Sequence, residues 1–467
     1  MHERSPVGAP RIGPHRTLLA AASILALTTL ILWGTHAQGP YEFDDWVTPL
    51  NDPASSSIGA FARLALKTLR PLTKLTFALE SSAGLGDSAA VRRAVTASML
   101  GAGAALLFAL LARMRVGLVT SAGLALLYAL HPIQGDGVWL LANRSAVLAS
   151  TLVLLACYWA VRRRWRAAAV ALALACLARE TAIAGVLPLA ALSVARHETE
   201  GWRVRVARLE PVLTAALLMG AYLLVHPRYS KLAQFSLQAR PWGESVARQV
   251  AAIPHGLSLW FALDKLSSDH GELLPRTMAS PAFIGGATIL VGLVALAVVS
   301  ARARRTRAAL GASLVLAALL PTQSAIPKLD ALTEKPFAFA LAGFVMLVAE
   351  ASALSYERLT RVVESGARRW VRLAAQAATG LLAGTLGVAT IHRCRILESP
   401  VAFWADAARK STANARPHLN HALALEEAGE LDAALEEVIR ARTLDPFDPT
   451  VETLEIRLRV KLASASR

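Results

Sequence analysis

VTASMLGAGAALLFALLARMR, residues 95–115, begins with eighteen residues that carry no charge and ends on Arg113 and Arg115. At about 1.5 Å rise per residue such a helix is about 27 Å long, close to the ~30 Å hydrocarbon core of a bilayer. The arginines then sit where a charged end belongs, in water at the membrane face. The pattern repeats: apolar runs of about 15 to 20 residues recur from Thr17 to Ile391, many separated by Arg-rich breaks. The 467 residues are 55% hydrophobic and only 18% charged, too little charge for the surface of a soluble chain of this size. The sequence reads as an all-α, polytopic membrane protein.

The arginines also give the runs an orientation, because Lys and Arg collect on the cytoplasmic side. Arg11 and Arg16 precede the first span, Thr17–Gly34, and Arg113 and Arg115 follow the second, Val95–Ala112. Arg162 to Arg166 follow the fourth span and Arg196 to Arg208 the sixth. Arg302 to Arg307 lie between the eighth and ninth, and Arg358 to Arg372 between the tenth and the last. All fall on one side if the chain has about eleven spans and Val246–Leu263 does not cross. That segment holds Arg248, Pro254 and His255, as a surface or re-entrant helix would. The N-terminus, residues 1–16, is then cytoplasmic and the C-terminus outside. Thr35-His36-Ala37 resembles a small-x-small cleavage site, which leaves a signal peptide as the alternative for the first run. Richness in Ala and Arg suggests a high-GC bacterium, so the expected location is the inner membrane, with the tail in the periplasm.

The net charge of +16 does not indicate nucleic-acid binding, because the basic residues cap apolar runs and lack aromatic interleaving. Cys157, Cys176 and Cys394 are scattered singly, with neither disulfide nor metal spacing, and read as small apolar packing residues.

The unusual polar residues fall in the outward loops. The first, residues 35–94, contains Tyr41-Glu42-Phe43-Asp44-Asp45-Trp46 and then a helical stretch, Ile58–Leu79, that includes Arg70-Pro71-Leu72. Asp44-Asp45 reads either as a cap or solvated turn, or as a general base or metal-binding carboxylate pair at the membrane surface. Adjacent carboxylates raise each other's pKa, which suits a base working near neutrality. The second loop runs His131-Pro132-Ile133-Gln134-Gly135-Asp136 to Asn143-Arg144-Ser145. Arg144 leads directly into an apolar run, at a cost of up to about 3 kcal/mol unless it snorkels or finds an anion. Arg179-Glu180 divides two apolar halves, Ala167–Leu177 and Thr181–Ala195, either as an ion pair closing a helical hairpin or as part of an outer polar site. Pro327-Lys328-Leu329-Asp330 and Glu334-Lys335-Pro336 precede the tenth span. Together these predict a polar cavity on the outer face, lined by carboxylates and cations.

Residues 392–467 change from apolar to charged and helical. Asn420 to Pro446 fits one tetratricopeptide unit, with Ala434, Ala441 and Pro446 at the expected offsets and Gly429 in the turn. Val401–Lys410 and Val451–Ala463 flank it. Stable arrays need about three repeats, so the tail packs either on the membrane domain as a cap or on a peptide or acceptor protein as a platform.

In this order, Asp44-Asp45, Arg70-Pro71-Leu72-Thr73, His131 to Asp136 with Arg144, Arg179-Glu180, Leu320-Pro321 with Glu334-Lys335, and the repeat tail carry a resemblance. The chain resembles the transmembrane and tetratricopeptide-repeat-containing O-mannosyltransferases and their bacterial relatives, of the GT-C class of glycosyltransferases. The resemblance implies a GT-C-like transmembrane domain over residues 17–391 and a polyprenyl-phosphate sugar as donor, with its phosphate as leaving group. It implies transfer to a protein hydroxyl or glycan, with Asp44 or Asp45 as base. Arg144, Arg179 and Lys335 would clamp the phosphate. His131, Asp136, Glu180 and Glu334 would position loops or the acceptor. No cofactor or metal set is assigned, although carboxylates of this kind are compatible with a divalent cation. The family's His-rich, Asn-containing entry to the second span is here Arg92 to Ser98, and its Glu after the His-Pro motif is Asp136. Its Glu-Arg-aromatic motif is Glu334-Lys335-Pro336, and Lys lacks the bidentate grip of Arg. These departures leave a rival reading, a catalytically degenerate relative that acts as a membrane scaffold or assembly factor through its repeats. A transporter is disfavoured, because the charges sit at helix ends and not at the midplane.

Overall fold

The computed structural model describes residues 14–34, 39, 41–195, 201–270, 274–324, 326–328, 330–362 and 365–465. The first thirteen residues of the N-terminal segment and the Thr35-His36-Ala37 site lie outside them. Every regular element among the described residues is a helix. Six are long and apolar enough to cross a membrane: Ala89–Arg113, Leu141–Val161, Arg203–Val225, Pro281–Arg302, Glu334–Leu359 and Ala367–Leu397. Five shorter apolar helices accompany them: Thr17–Leu32, Leu118–Ala129, Trp165–Ala178, Glu180–Ala195 and Thr306–Leu319.

The helices pack into one bundle. Ala89–Arg113 lies against Pro14–Gly34 and Arg144–Val161, and the latter against Trp165–Ala178. Thr306–Leu319 is central, wedged between Pro281–Arg302, Val186–Ala195 and Glu334–Val362. Its close partner is reached through two glycines: a Cβ on Gly311 would lie 2.8 Å from the Gly343 carbonyl oxygen. Small residues at such crossings let backbones approach, which is how helices associate where lipid removes the hydrophobic incentive. The peripheral helices are built differently. Only 6% of the apolar window of Pro281–Arg302 is buried, and Val291, Val294, Val298 and Val299 face outward. An apolar helix left uncovered in this way requires lipid around it. The chain is therefore a helical, membrane-associated protein.

One segment differs from its sequence reading. The helical stretch expected over Ile58–Leu79 is two helices, Ile58–Leu64 and Pro71–Ser82. The break is at Arg70, which takes φ 55 and ψ 55 immediately before Pro71. A left-handed L residue costs roughly 1–2 kcal/mol, and a following proline also disfavours helical geometry. Val246–Leu263 contains most of an amphipathic helix, Trp242–Ser258, whose buried face holds Gln249, Val250 and Ile253 against Pro281–Arg302 and Glu334–Val362.

The tail is four helices, Pro400–Lys410, Ala415–Glu427, Leu431–Leu444 and Pro449–Ala465. Ala422, Leu425, Ala434, Val438, Leu454 and Leu458 form a core of their own. Gly429, at φ +84, makes the turn between the second and third helices. Phe403 and Trp404 of the first helix pack on Trp139, Leu140 and Leu397, which fastens the tail to the membrane domain.

Candidate functional site

Asp44 and Asp45 lie on a short helical turn, Phe43–Asp45, that runs into a wider turn, Trp46–Leu50. Four anchors hold this segment. Lys74 Nζ donates to the Thr48 carbonyl at 2.6 Å. Arg92 donates to the Pro49 carbonyl at 3.1 Å. Arg93 donates to the carbonyls of Gly39 and Trp139 and stacks near Tyr41 and Trp139. Asp45 Oδ1 accepts from the Ala142 N–H at 2.8 Å. The two carboxylates therefore differ in role: Asp45 is fully buried in the wall, whereas Asp44 is exposed.

Burial pushes the Asp45 carboxyl up to about 6, against the N–H groups of Ala142 and Leu141 and the charge of Arg93. The expectation from adjacency named the neighbouring carboxylate; the cause here is desolvation. A carboxyl raised in the native state binds protons there that the unfolded chain has released, so stability is lost as pH rises from about 4 to about 6. From this group the loss is about 3 kcal/mol. Asp45→Asn keeps an acceptor for Ala142 and removes the charge, so its thermal unfolding in detergent should lose that part of the pH dependence. Identical pH profiles for the two proteins would contradict the assignment.

Around Asp44 the structure gathers cations from distant parts of the chain. Asp44 is within electrostatic reach of Arg70 and Lys335, and Lys335 within reach of Arg179 and Lys328. Arg70 grips Glu180 through two bonds, Nε to Oε2 at 3.0 Å and Nη2 to Oε1 at 2.7 Å. Its left-handed backbone makes that reach, and Tyr229 Oη accepts from its N–H at 3.3 Å. Arg179 donates to Ser145 Oγ at 3.0 Å.

Lys328 is the unusual member. Its Nζ is buried and has no hydrogen-bond partner among the described residues. Burial lowers it to about 7, and Lys335, Arg179 and Arg240 push the same way against Asp330. Gln249 holds its loop: Nε2 donates to the carbonyls of Thr322 at 3.0 Å and Ile326 at 2.8 Å, and Oε1 accepts from the Lys328 N–H at 3.3 Å. A buried ammonium among other cations, with open valences, favours an anion beside it.

The remaining sequence candidates are held by bonds of their own, and of these Asp136 is also within electrostatic reach of Lys335. Arg144 is fully buried and makes four bonds: to Glu80 at 2.7 Å, Thr96 at 2.9 Å, Thr76 at 3.1 Å and the Arg92 carbonyl at 2.6 Å. Its anion is thus Glu80, and four of its five N–H donors are already taken. His131 accepts from the Ile133 N–H on Nδ1 and faces the Trp260 carbonyl with Nε2, which fixes a neutral tautomer. Burial lowers its pKa to about 4, so it serves as a turn fastener. Asp136 accepts from Ser268 at 2.8 Å and pairs with Arg393 at 3.6 Å. Glu334 accepts from the Ser267 N–H at 2.7 Å and meets His270 at 3.1 Å. Asp136 and Glu334 belong to a network that reaches the tail, where Arg393 pairs with Asp406 at 2.5 Å and Arg416 with Asp269 at 2.5 Å. Among the described residues no three His, Cys, Asp or Glu side chains converge as a metal site would require.

Sequence reading thus brought Asp44, Arg179, Glu180 and Lys335 to one place and left Arg70 and Lys328 unassigned. The only sequence signal for either was a cation next to a proline in an outward loop. Two cavities, of about 490 and 310 Å³, lie at the junction with the tail and not at Asp44. No protein family, curated protein or solved structure matches the chain.

Proposed function

We propose that the chain is a membrane glycosyltransferase that moves a sugar from a polyprenyl-phosphate donor to a hydroxyl of a periplasmic protein or glycan. On this reading the six long and five shorter apolar helices are eleven spans of a GT-C-like domain, and the tail is a tetratricopeptide-like unit outside the inner membrane. The observation that carries the reading is the exposed Asp44 within reach of Arg70 and Lys335, with Lys335 in turn near Arg179 and near Lys328, whose Nζ has no hydrogen-bond partner among the described residues. Asp44 takes the proton of the acceptor hydroxyl as that oxygen bonds to the anomeric carbon. The bond from that carbon to the phosphate oxygen breaks, and its electron pair leaves on the phosphate. Lys328, Lys335 and Arg179 neutralise the charge that develops there. Arg70 and Glu180 hold the frame, and Asp45 keeps the turn against Leu141–Asn143.

Lys328 supplies the experiment. An ammonium near neutrality regains its charge beside an anion, so donor binding should weaken as pH rises above about 7. Lys328→Met should raise the donor KM roughly 10- to 100-fold, the worth of one charge-assisted hydrogen bond, and remove that pH dependence. Unchanged donor KM and pH profile would remove Lys328 from the site.

The position of two cavities at the tail junction favours a second reading, a membrane scaffold or assembly factor. Its mark would be a chain that turns over no lipid-linked sugar, with a phenotype that follows the tail alone.

A further inference from the structure

The last membrane helix, Ser365–Leu397, has an uncharged stretch from Leu373 to Ile391, 19 residues or about 28 Å of helix. That length fills the hydrocarbon core and places His392 and Arg393 at the headgroup level. A cleft of about 490 Å³ opens at this level between the helix, the turn Leu263–Lys265 and the first tail helix. Three kinds of surface meet in it. Leu263, Ala389 and Ile396 are apolar. Arg409 and Lys410 are cationic and, with Arg393, share one carboxylate, Asp406, at 3.5, 2.9 and 2.5 Å. Asp264 contributes a carboxylate that has neither an ion pair nor a hydrogen bond among the described residues.

A cation surplus suits a phosphate, a free carboxylate suits an ammonium, and an apolar wall at the membrane boundary suits glycerol and the first acyl carbons. We infer that this cleft binds the headgroup of an amine-bearing phospholipid, phosphatidylethanolamine, with its phosphate at Arg409 and Lys410 and its ammonium at Asp264. A purely anionic lipid would leave Asp264 facing its negative charge, and a quaternary ammonium cannot donate a hydrogen bond to it. The inference rests on Ser365–Leu397 crossing the bilayer and is independent of the transfer reaction, since neither Arg409 nor Asp264 belongs to the Asp44 cluster.

The test uses the full chain in detergent, delipidated, with thermal unfolding followed on addition of phosphatidylethanolamine, phosphatidylglycerol, phosphatidylcholine or soluble glycerophosphoethanolamine. The ethanolamine lipid should stabilise the wild type at the lowest concentration, with the soluble headgroup much weaker. Asp264→Asn should erase its advantage over phosphatidylglycerol. Arg409→Ala, at a side chain that is 75% exposed and so free of a folding role, should weaken the ethanolamine lipid roughly tenfold. Equal stabilisation by all three lipids, a preference for phosphatidylglycerol, or an advantage that survives Asp264→Asn would overturn the inference. Soluble headgroup acting as well as the lipid would overturn the lipid as its source.

Discussion

Asp44→Ala should lower the rate of sugar transfer by about 100- to 10,000-fold at saturating donor, the range a positioned general base contributes. The side chain is exposed, so its removal leaves no void and unfolding should be unchanged. Its charge faces Arg70 and Lys335, so the donor KM should stay level or fall as the cations lose a competing carboxylate. A loss in kcat with KM preserved is the signature of a group needed in the transition state. Asp45→Asn should differ, changing stability and its pH dependence first. Initial rates for both variants, with labelled lipid-linked sugar in membranes, separate the roles; a variant at Asp44 as fast as wild type assigns the base elsewhere.

The largest effect on stability is expected at Arg144. Arg144→Ala removes four hydrogen bonds and the stacking over Phe77 at 3.9 Å. It leaves Glu80 buried, with Arg92 at 3.9 Å as its remaining cation. Breaking one side of a buried pair costs about 3–5 kcal/mol, mostly through the abandoned charge. Arg144→Met combined with Glu80→Gln removes both charges and should recover much of that loss. Unfolding of the purified variants in detergent measures both. If Arg144→Ala were as stable as wild type but bound donor poorly, Arg144 would return to the phosphate clamp.

The same residue shows what a sequence can and cannot carry. That an arginine entering an apolar run needs an anion is legible from Arg144 alone. Which anion it finds is not, because Glu80 lies 64 residues away. The helical membrane class was legible because uncharged runs and arginine breaks are local patterns, as in residues 95–115. Arg70 was hidden inside an apparent helix, since nothing in Arg-Pro announces a left-handed backbone that turns the guanidinium towards Glu180. Arg93 read as a departure from a family pattern; its contacts to Gly39 and Trp139 make it a clamp on the Asp44 turn. Lys328 acquires its buried Nζ, without a hydrogen-bond partner among the described residues, from a loop that Gln249 pins from another helix, and such a contact leaves no periodic trace.

The central claim is that the Asp44 cluster releases a sugar from a lipid phosphate. Its most direct measurement is the release of free polyprenyl phosphate by the purified chain in liposomes, from a panel of labelled polyprenyl-phosphate sugars with acceptor peptide or glycan present. Release is expected from at least one donor, coupled one-to-one to label on the acceptor and abolished in Asp44→Ala. No release from any donor, or release that persists undiminished in Asp44→Ala, would contradict it.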